Sequence, residues 1–188
     1  REQLLLSDEI DKIDLISFID LITHDKKQNR KGRRDMVDLF KLVTAYYYSP
    51  HAKGSNSIKA ILPAIITESV FLKKKYGRED LYGTDLEIPS LNFSNHCWIT
   101  DGLTNPYKTL PQVFPDYDND MIDSVEPIET LKELSDGGAA LTAYNYLQYS
   151  NVSEKQREYL QQALFKYCEL DTMAMVMIME AWRDMIRE

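Results

Sequence analysis

The sequence predicts a mainly α-helical domain with little β-structure. Residues 153 to 186 contain no Gly or Pro, and their apolar side chains recur at three- and four-residue steps, as on one face of a helix. Shorter apolar segments at residues 10 to 23 and 54 to 77 also favour helices. Five of the seven prolines fall within residues 78 to 135, which predicts a long irregular insertion. A chain of 188 residues is long enough for a single domain, or part of one.

The first predicted helix covers about residues 10 to 23. Ser7 is placed as its N-terminal cap, with Asp8 and Glu9 beside the positive end of the helix dipole. Residues 36 to 48 fit either a helix or a short strand that runs into a helix, and the pattern does not decide between them.

Two further helices are predicted before the insertion, and two after it. Ser55 or Ser57 caps the first of them, which Pro63 is expected to interrupt, and the next ends at Gly77. After the insertion, one helix follows Asp136, and Ser153 caps the long final helix.

The charge distribution separates one short basic segment from an acidic chain. The net charge of −8 repels nucleic acid on average, but residues 26 to 34 hold basic side chains and no acidic ones. This basic loop is interpreted either as a solvated connector or as a phosphate-contacting segment. The candidate nucleic-acid-binding residues in it are Lys26, Lys27, Arg30, Lys31, Arg33 and Arg34.

The cysteines and the hydropathy favour a cytoplasmic protein. Cys97 and Cys168 lie far apart and form no metal-binding or disulfide pattern, as is typical of a reducing compartment. No apolar run reaches the length of a membrane-spanning helix, so no membrane partner is expected.

Asp171 is the most informative residue of the final helix. On a helical wheel it lies near the centre of the apolar stripe, so its carboxylate requires a partner, a cation or a proton. A cap or kink role, or pairing with an Arg or Lys from elsewhere, would also satisfy it. The stripe comprises Leu160, Leu164, Tyr167, Ala174, Met175, Ile178, Trp182 and Met185.

Tyr167 precedes Asp171 by four residues, so both side chains emerge on the same helix face. A carboxylate can hold a divalent cation while a phenol positions the attacking water, which suits metal-assisted phosphoryl transfer. A Mg²⁺ site of this kind needs further acids in addition to Asp171.

Several segments of the chain resemble a known family. Tyr167 to Asp171 matches the YxxxD motif of the DEDDy branch of DnaQ-like 3′–5′ exonucleases. A bacterial family of domains of unknown function, itself similar to DnaQ-like nucleases, has similar segments in the same order. These segments are RRDMVDLFKLVTAYYYSPHAKGSNSIKAILPAI, EIPSLNF, DGGAALTAYNYLQ and LFKYCELDTMAMV, and they cover most of the chain from about Arg33 onward.

The resemblance implies an RNase H-like α/β fold of which this chain is the C-terminal portion. It implies Tyr167 and Asp171 as catalytic residues, Asp171 as a ligand of Mg²⁺ or Mn²⁺ in the full-length protein, and DNA or RNA as substrate. Ser55 and Lys59, in the GSNSIK segment, are added as candidate nucleic-acid-binding residues.

The DxE motif and the second acidic motif of these enzymes cannot be placed in the sequence. The fragment is therefore expected to be inactive and metal-free in isolation, and to associate with the upstream part of its polypeptide. A complete RNase H-like arrangement through association of two copies is the alternative.

Two non-catalytic interpretations remain beside the nuclease. In one, the chain is a helical interaction module and Asp171 is a paired structural acid. In the other it binds nucleic acid without cleaving it, through the basic loop and the aromatic side chains of the insertion.

Overall fold

The computed structural model describes residues 1–25, 27–100, 102–110 and 137–187, with side chains from residue 140 onward in the last range. These residues are mainly α-helical, as predicted, and their one regular sheet has two strands. They form two compact units, Arg1–Ala45 (unit 1) and Tyr46–Glu188 (unit 2). No helix among them is both long enough and apolar enough to span a membrane.

Unit 1 begins with two helices whose boundaries differ from the prediction. Helix α1 covers Glu2–Leu5, and helix α2 covers Lys12–Ile22 and starts after Asp11. The prediction that Ser7 caps α2 was therefore wrong. Its hydroxyl instead donates a hydrogen bond to the Leu4 carbonyl at 2.9 Å and closes the turn after α1.

One strand of a short β-hairpin lies in the basic loop. Strands β1, His24–Asp25, and β2, Arg30–Lys31, pair in antiparallel register. The Asp25 carboxylate accepts hydrogen bonds from the backbone N–H groups of Lys27 at 2.9 Å and Gln28 at 3.1 Å, an arrangement that stabilises the turn. The ambiguous segment that follows contains helix α3, Leu39–Tyr46.

Unit 2 is built on two consecutive helices, α4, Ile58–Glu68, and α5, Val70–Tyr76. The prediction that Pro63 interrupts α4 was wrong, because the helix continues through it. Proline removes one helical hydrogen bond, but the neighbouring Leu62 and Ile65 are fully buried, and their burial offsets that loss. The helix ends at Ser69, whose hydroxyl accepts a hydrogen bond from the Leu72 N–H at 3.1 Å and starts α5.

Helices α6, Gly137–Tyr149, and α7, Glu154–Met185, follow the insertion. Ser153 caps α7 as predicted and forms a reciprocal capping box with Gln156. Helices α4, α5 and α6 all pack against α7. This long helix therefore forms the spine of unit 2.

The buried face of α7 is rotated relative to the predicted stripe. Met175 and Met185 are 43% and 41% exposed, and Asp171 is half-buried at the edge of the face rather than at its centre. The helices that pack against α7 bury a neighbouring line of small and apolar residues instead of the whole predicted stripe. The buried residues of α7 are Leu160, Ala163, Tyr167, Leu170, Met173, Ala174, Met177, Ile178 and Ala181.

The described part of the predicted insertion, residues 78–100 and 102–110, is largely irregular and packed, as expected. Its core is Trp98, which is fully buried. The ring of Trp98 contacts Tyr82, Phe93 and His96, with centroid distances of 5.1, 5.0 and 4.2 Å. Residues 111–135 of the predicted insertion lie outside the described residues.

We predict that Gly83→Ala strongly destabilises unit 2. Gly83 has a φ of +146°, and a Cβ atom there would lie 1.7 Å from the Ser94 carbonyl oxygen. We expect the free energy of unfolding, measured in urea, to fall by about 3 kcal/mol, because the backbone at Gly83 and Ser94 would have to move apart. Gly54→Ala is the matched control: φ is +78° but no atom lies near the added Cβ, so a loss of about 1 kcal/mol is expected. Equal losses of stability in the two variants would contradict the close approach of the Ser94 carbonyl to Gly83.

Candidate functional site

Asp171 has a phenol as its hydrogen-bonding partner. Tyr107 lies on a short 3-10 helix, Pro106–Thr109, which Asn105 caps by accepting a hydrogen bond from the Tyr107 N–H at 3.1 Å. The Tyr107 hydroxyl donates to Asp171 Oδ1 at 2.7 Å. Tyr107 is 3% exposed, so this hydrogen bond joins the insertion to α7 in a largely buried position.

Lys59 connects Tyr107 with Tyr167. It lies in the first turn of α4, and its ammonium nitrogen is 5.6 Å from the ring centroid of Tyr107 and 5.0 Å from that of Tyr167. Both distances are within the range of cation–π interactions. Lys59, Tyr107, Tyr167 and Asp171 are called the Asp171 cluster below.

The Asp171 cluster combines one positive and one negative side chain with two phenols. Burial raises the pKa of Tyr107 well above its usual value, and the hydrogen bond to Asp171 raises it further. The Tyr107 hydroxyl therefore stays protonated at neutral pH and acts as a donor. The structure thus brings the predicted residues Tyr167, Asp171 and Lys59 together through Tyr107, which the sequence analysis had not singled out.

The described residues do not complete a metal centre. Among them, no group of three or more His, Cys, Asp or Glu side chains is arranged to hold an ion. Asp171 is the one carboxylate of its cluster, and the Lys59 ammonium in the same cluster disfavours a further cation. A Mg²⁺ or Mn²⁺ site at Asp171 requires at least one more acidic ligand than these residues supply.

Glu169 is the centre of a second set of hydrogen bonds, which the sequence analysis did not predict. Its carboxylate accepts hydrogen bonds from the hydroxyl of Tyr82, from the hydroxyl of Ser90 at 2.6 Å, and from the side-chain amide of Asn92. Burial alone would raise the pKa of Glu169, but the hydrogen bonds from these donors, with a smaller effect of His96, hold it below its usual value. Glu169 is therefore an ionised anchor for the insertion.

Glu180 repeats this arrangement further along α7. It accepts a hydrogen bond from the Tyr76 hydroxyl at 2.7 Å and pairs with the Lys75 ammonium at 2.7 Å. Burial raises the pKa of Tyr76 strongly, and the hydrogen bond to Glu180 adds to that effect. Acidic residues along α7, together with tyrosines in the segments that precede it, were the sequence signal for these tyrosine–carboxylate contacts.

The basic loop belongs to unit 1, whereas the Asp171 cluster belongs to unit 2. Two positive charges of the basic loop are paired with carboxylates of unit 1. Arg30 makes a two-pronged contact with Asp20 at 2.6 and 3.2 Å, and Lys31 lies 3.8 Å from Asp35.

Three other predicted basic residues, Lys27, Arg33 and Arg34, are exposed, and Lys26 lies outside the described residues. The predicted residue Ser55 is exposed in unit 2, where its hydroxyl accepts a hydrogen bond from the Ser57 N–H at 3.3 Å. Ser57 is the N-cap residue of α4.

A cavity of about 530 Å³ lies elsewhere in unit 2. Its lining includes residues of α5 and of the insertion, and no member of the Asp171 cluster. The polar side chains around it are Lys73, Glu79, Cys97, Thr100 and Thr104.

No protein-family model, no curated protein and no solved structure matches this chain.

We predict that Tyr107 and Asp171 are energetically coupled. Tyr107→Phe removes one hydrogen bond to a charged acceptor and should lower the free energy of unfolding by about 2 kcal/mol. In the Asp171→Asn background the same change should have a smaller effect, and a urea-denaturation double-mutant cycle measures the difference. Tyr144→Phe, at an exposed tyrosine of α6, is the matched control. A coupling energy of zero would show that the hydrogen bond does not contribute to stability.

Proposed function

We propose that this chain is part of a cytoplasmic DnaQ-like phosphodiesterase of the DEDDy type, with an RNase H-like fold, that degrades DNA or RNA from the 3′ end. The observation that supports this proposal best is the convergence of Lys59, Tyr167 and the Tyr107-bound Asp171. A cation can attract a phosphate oxygen, a phenol can position the attacking water, and a carboxylate can contribute to holding a divalent ion.

Each residue of the Asp171 cluster has a distinct role in this proposal. Lys59 supplies positive charge that attracts a phosphate oxygen. The Tyr167 hydroxyl orients the water that attacks phosphorus. Asp171 supplies one carboxylate, held in place by Tyr107.

The cofactor proposed for the full-length protein is Mg²⁺ or Mn²⁺. The residues described here do not fit a complete site for either ion, because they bring one carboxylate to the cluster. No step of the reaction is therefore assigned to a metal ion in this chain. The remaining acidic ligands would have to come from outside the described residues.

A non-catalytic interaction module or nucleic-acid-binding module is the second candidate. The observation that favours it is that Glu169, Asp171 and Glu180 each accept a hydrogen bond from a tyrosine hydroxyl. Such contacts give Asp171 a structural role that requires no metal ion.

We predict that the full-length protein shortens 3′-labelled and 5′-labelled single-stranded oligonucleotides in the presence of Mg²⁺ or Mn²⁺, but not with EDTA. Asp171→Asn should lower the rate by about a hundredfold, because it removes a carboxylate from the reacting centre. Tyr167→Phe should have a smaller effect, since it leaves that carboxylate intact. Gel electrophoresis of the products gives both the rate and the direction of degradation.

Asp184→Asn, on the same helix but outside the cluster, is the matched control and should leave the rate unchanged. Full activity of a folded Asp171→Asn variant would remove Asp171 from the mechanism. Absence of cation-dependent activity in the unmodified protein would contradict the nuclease proposal and leave the binding candidate.

We predict that the exposed charges of the basic loop contribute more to nucleic-acid binding than the paired ones. Arg33→Ser with Arg34→Ser should weaken binding of a fluorescent single-stranded oligonucleotide and reduce its salt slope by about 0.7 per lost phosphate contact. Arg30→Ser with Lys31→Ser should weaken it less, because Asp20 and Asp35 already offset those charges. Lys155→Ser, in the first turn of α7, is the control. Equal affinities and slopes for all variants would leave the loop without a binding role.

A further inference from the structure

His96 is a titratable side chain inside an aromatic cluster. Its ring centroid lies 4.2 Å from that of Trp98 and 4.4 Å from that of Phe93. Among the described residues, its buried Nε2 atom has no hydrogen-bond partner. A neutral imidazole is tolerated there, but protonation would place a buried N–H⁺ group where no described residue accepts its hydrogen bond.

The segment that contains His96, residues 82–98, is held against α7 by one carboxylate. All three side chains that donate hydrogen bonds to Glu169, those of Tyr82, Ser90 and Asn92, belong to this segment. The His96 backbone N–H donates to the Tyr82 carbonyl at 2.8 Å. The imidazole and the Glu169 anchor therefore belong to the same folded segment.

The charged groups that act on His96 are Lys166 and Glu169, both on α7. The Lys166 ammonium lies 5.5 Å from the centroid of the Phe93 ring that packs against His96, and it opposes a second positive charge there. Glu169 favours the charged imidazole, but its two oxygens already accept hydrogen bonds from three donors. Burial lowers the pKa of His96 most, the Lys166 charge lowers it further, and Glu169 raises it.

We propose that residues 82–98 form an acid-sensitive contact with α7, which protonation of His96 releases. Because the pKa of His96 is lowered in the folded state, its stabilising contribution is complete above the ordinary value of about 6.5. That contribution is lost as the pH falls through the pKa of the folded state. Glu169 precedes Asp171 by two residues on α7, so the two carboxylates emerge on different faces of the helix. The proposal does not depend on the nuclease activity.

Hydrogen exchange of the full chain at about pH 7.5 and about pH 5 tests the proposal, with rates corrected for intrinsic pH dependence. Amides of residues 82–98 should lose protection at the lower pH, by at most about thirtyfold, because pH 5 lies about 1.5 units below the ordinary histidine pKa. Amides in the middle of α7 should lose less. The control His51→Gln, at an exposed histidine, should behave like the unmodified chain.

His96→Phe should abolish the pH dependence, because it keeps an aromatic ring and removes the titrating group. An NMR titration of the His96 imidazole in the unmodified chain provides a second measurement if that variant does not fold. Unchanged protection of residues 82–98 across the titration of His96, or an ordinary pKa for its imidazole, would overturn the proposal.

Discussion

Hydrogen bonds from buried tyrosines to carboxylates on α7 are the interaction on which unit 2 depends. Tyr82 donates to Glu169, Tyr107 to Asp171 and Tyr76 to Glu180. The described part of the insertion contains little regular secondary structure that could supply backbone ladders, so its attachment relies on side-chain contacts such as those of Tyr82 and Tyr107 and on the burial of Trp98. A carboxylate removed from water needs donors, and a buried phenol needs an acceptor, so each group satisfies the other.

This arrangement determines what the Asp171 cluster can do chemically. Tyr107 keeps its proton because burial and the neighbouring carboxylate both raise its pKa. The Lys59 ammonium lies against the rings of Tyr107 and Tyr167, which places positive charge near Asp171. Among the described residues, no group of three or more His, Cys, Asp or Glu side chains surrounds Asp171 to hold a divalent cation. A metal-dependent activity therefore requires further carboxylates close to Asp171.

Local signals in the sequence were most reliable where a residue begins or ends a helix through groups close to it in the chain. Ser153 was placed correctly as the cap of α7, and α5 ends before Gly77 as predicted. Predictions failed where packing outweighed local preference. Pro63 lies inside α4 because its neighbours are buried. Ser7 differs from the prediction for a local reason, since its hydroxyl donates to the Leu4 carbonyl three residues earlier and does not cap α2. The relation of the chain to DnaQ-like nucleases stays a prediction.

The sequence by itself determined the mainly helical class, the irregular character of the described part of the insertion, and the proximity of Tyr167 to Asp171 on one helix. These properties follow from periodicity, prolines and the helical repeat, all of which are local along the chain. The tertiary structure alone decided which face of α7 is buried and which side chain satisfies Asp171. The hydrogen bond from Tyr107 crosses 64 positions of sequence, and the one from Tyr82 to Glu169 crosses 87. Such partners depend on how the segments pack, because hydrogen-bonding groups of the same type occur at many positions of the chain.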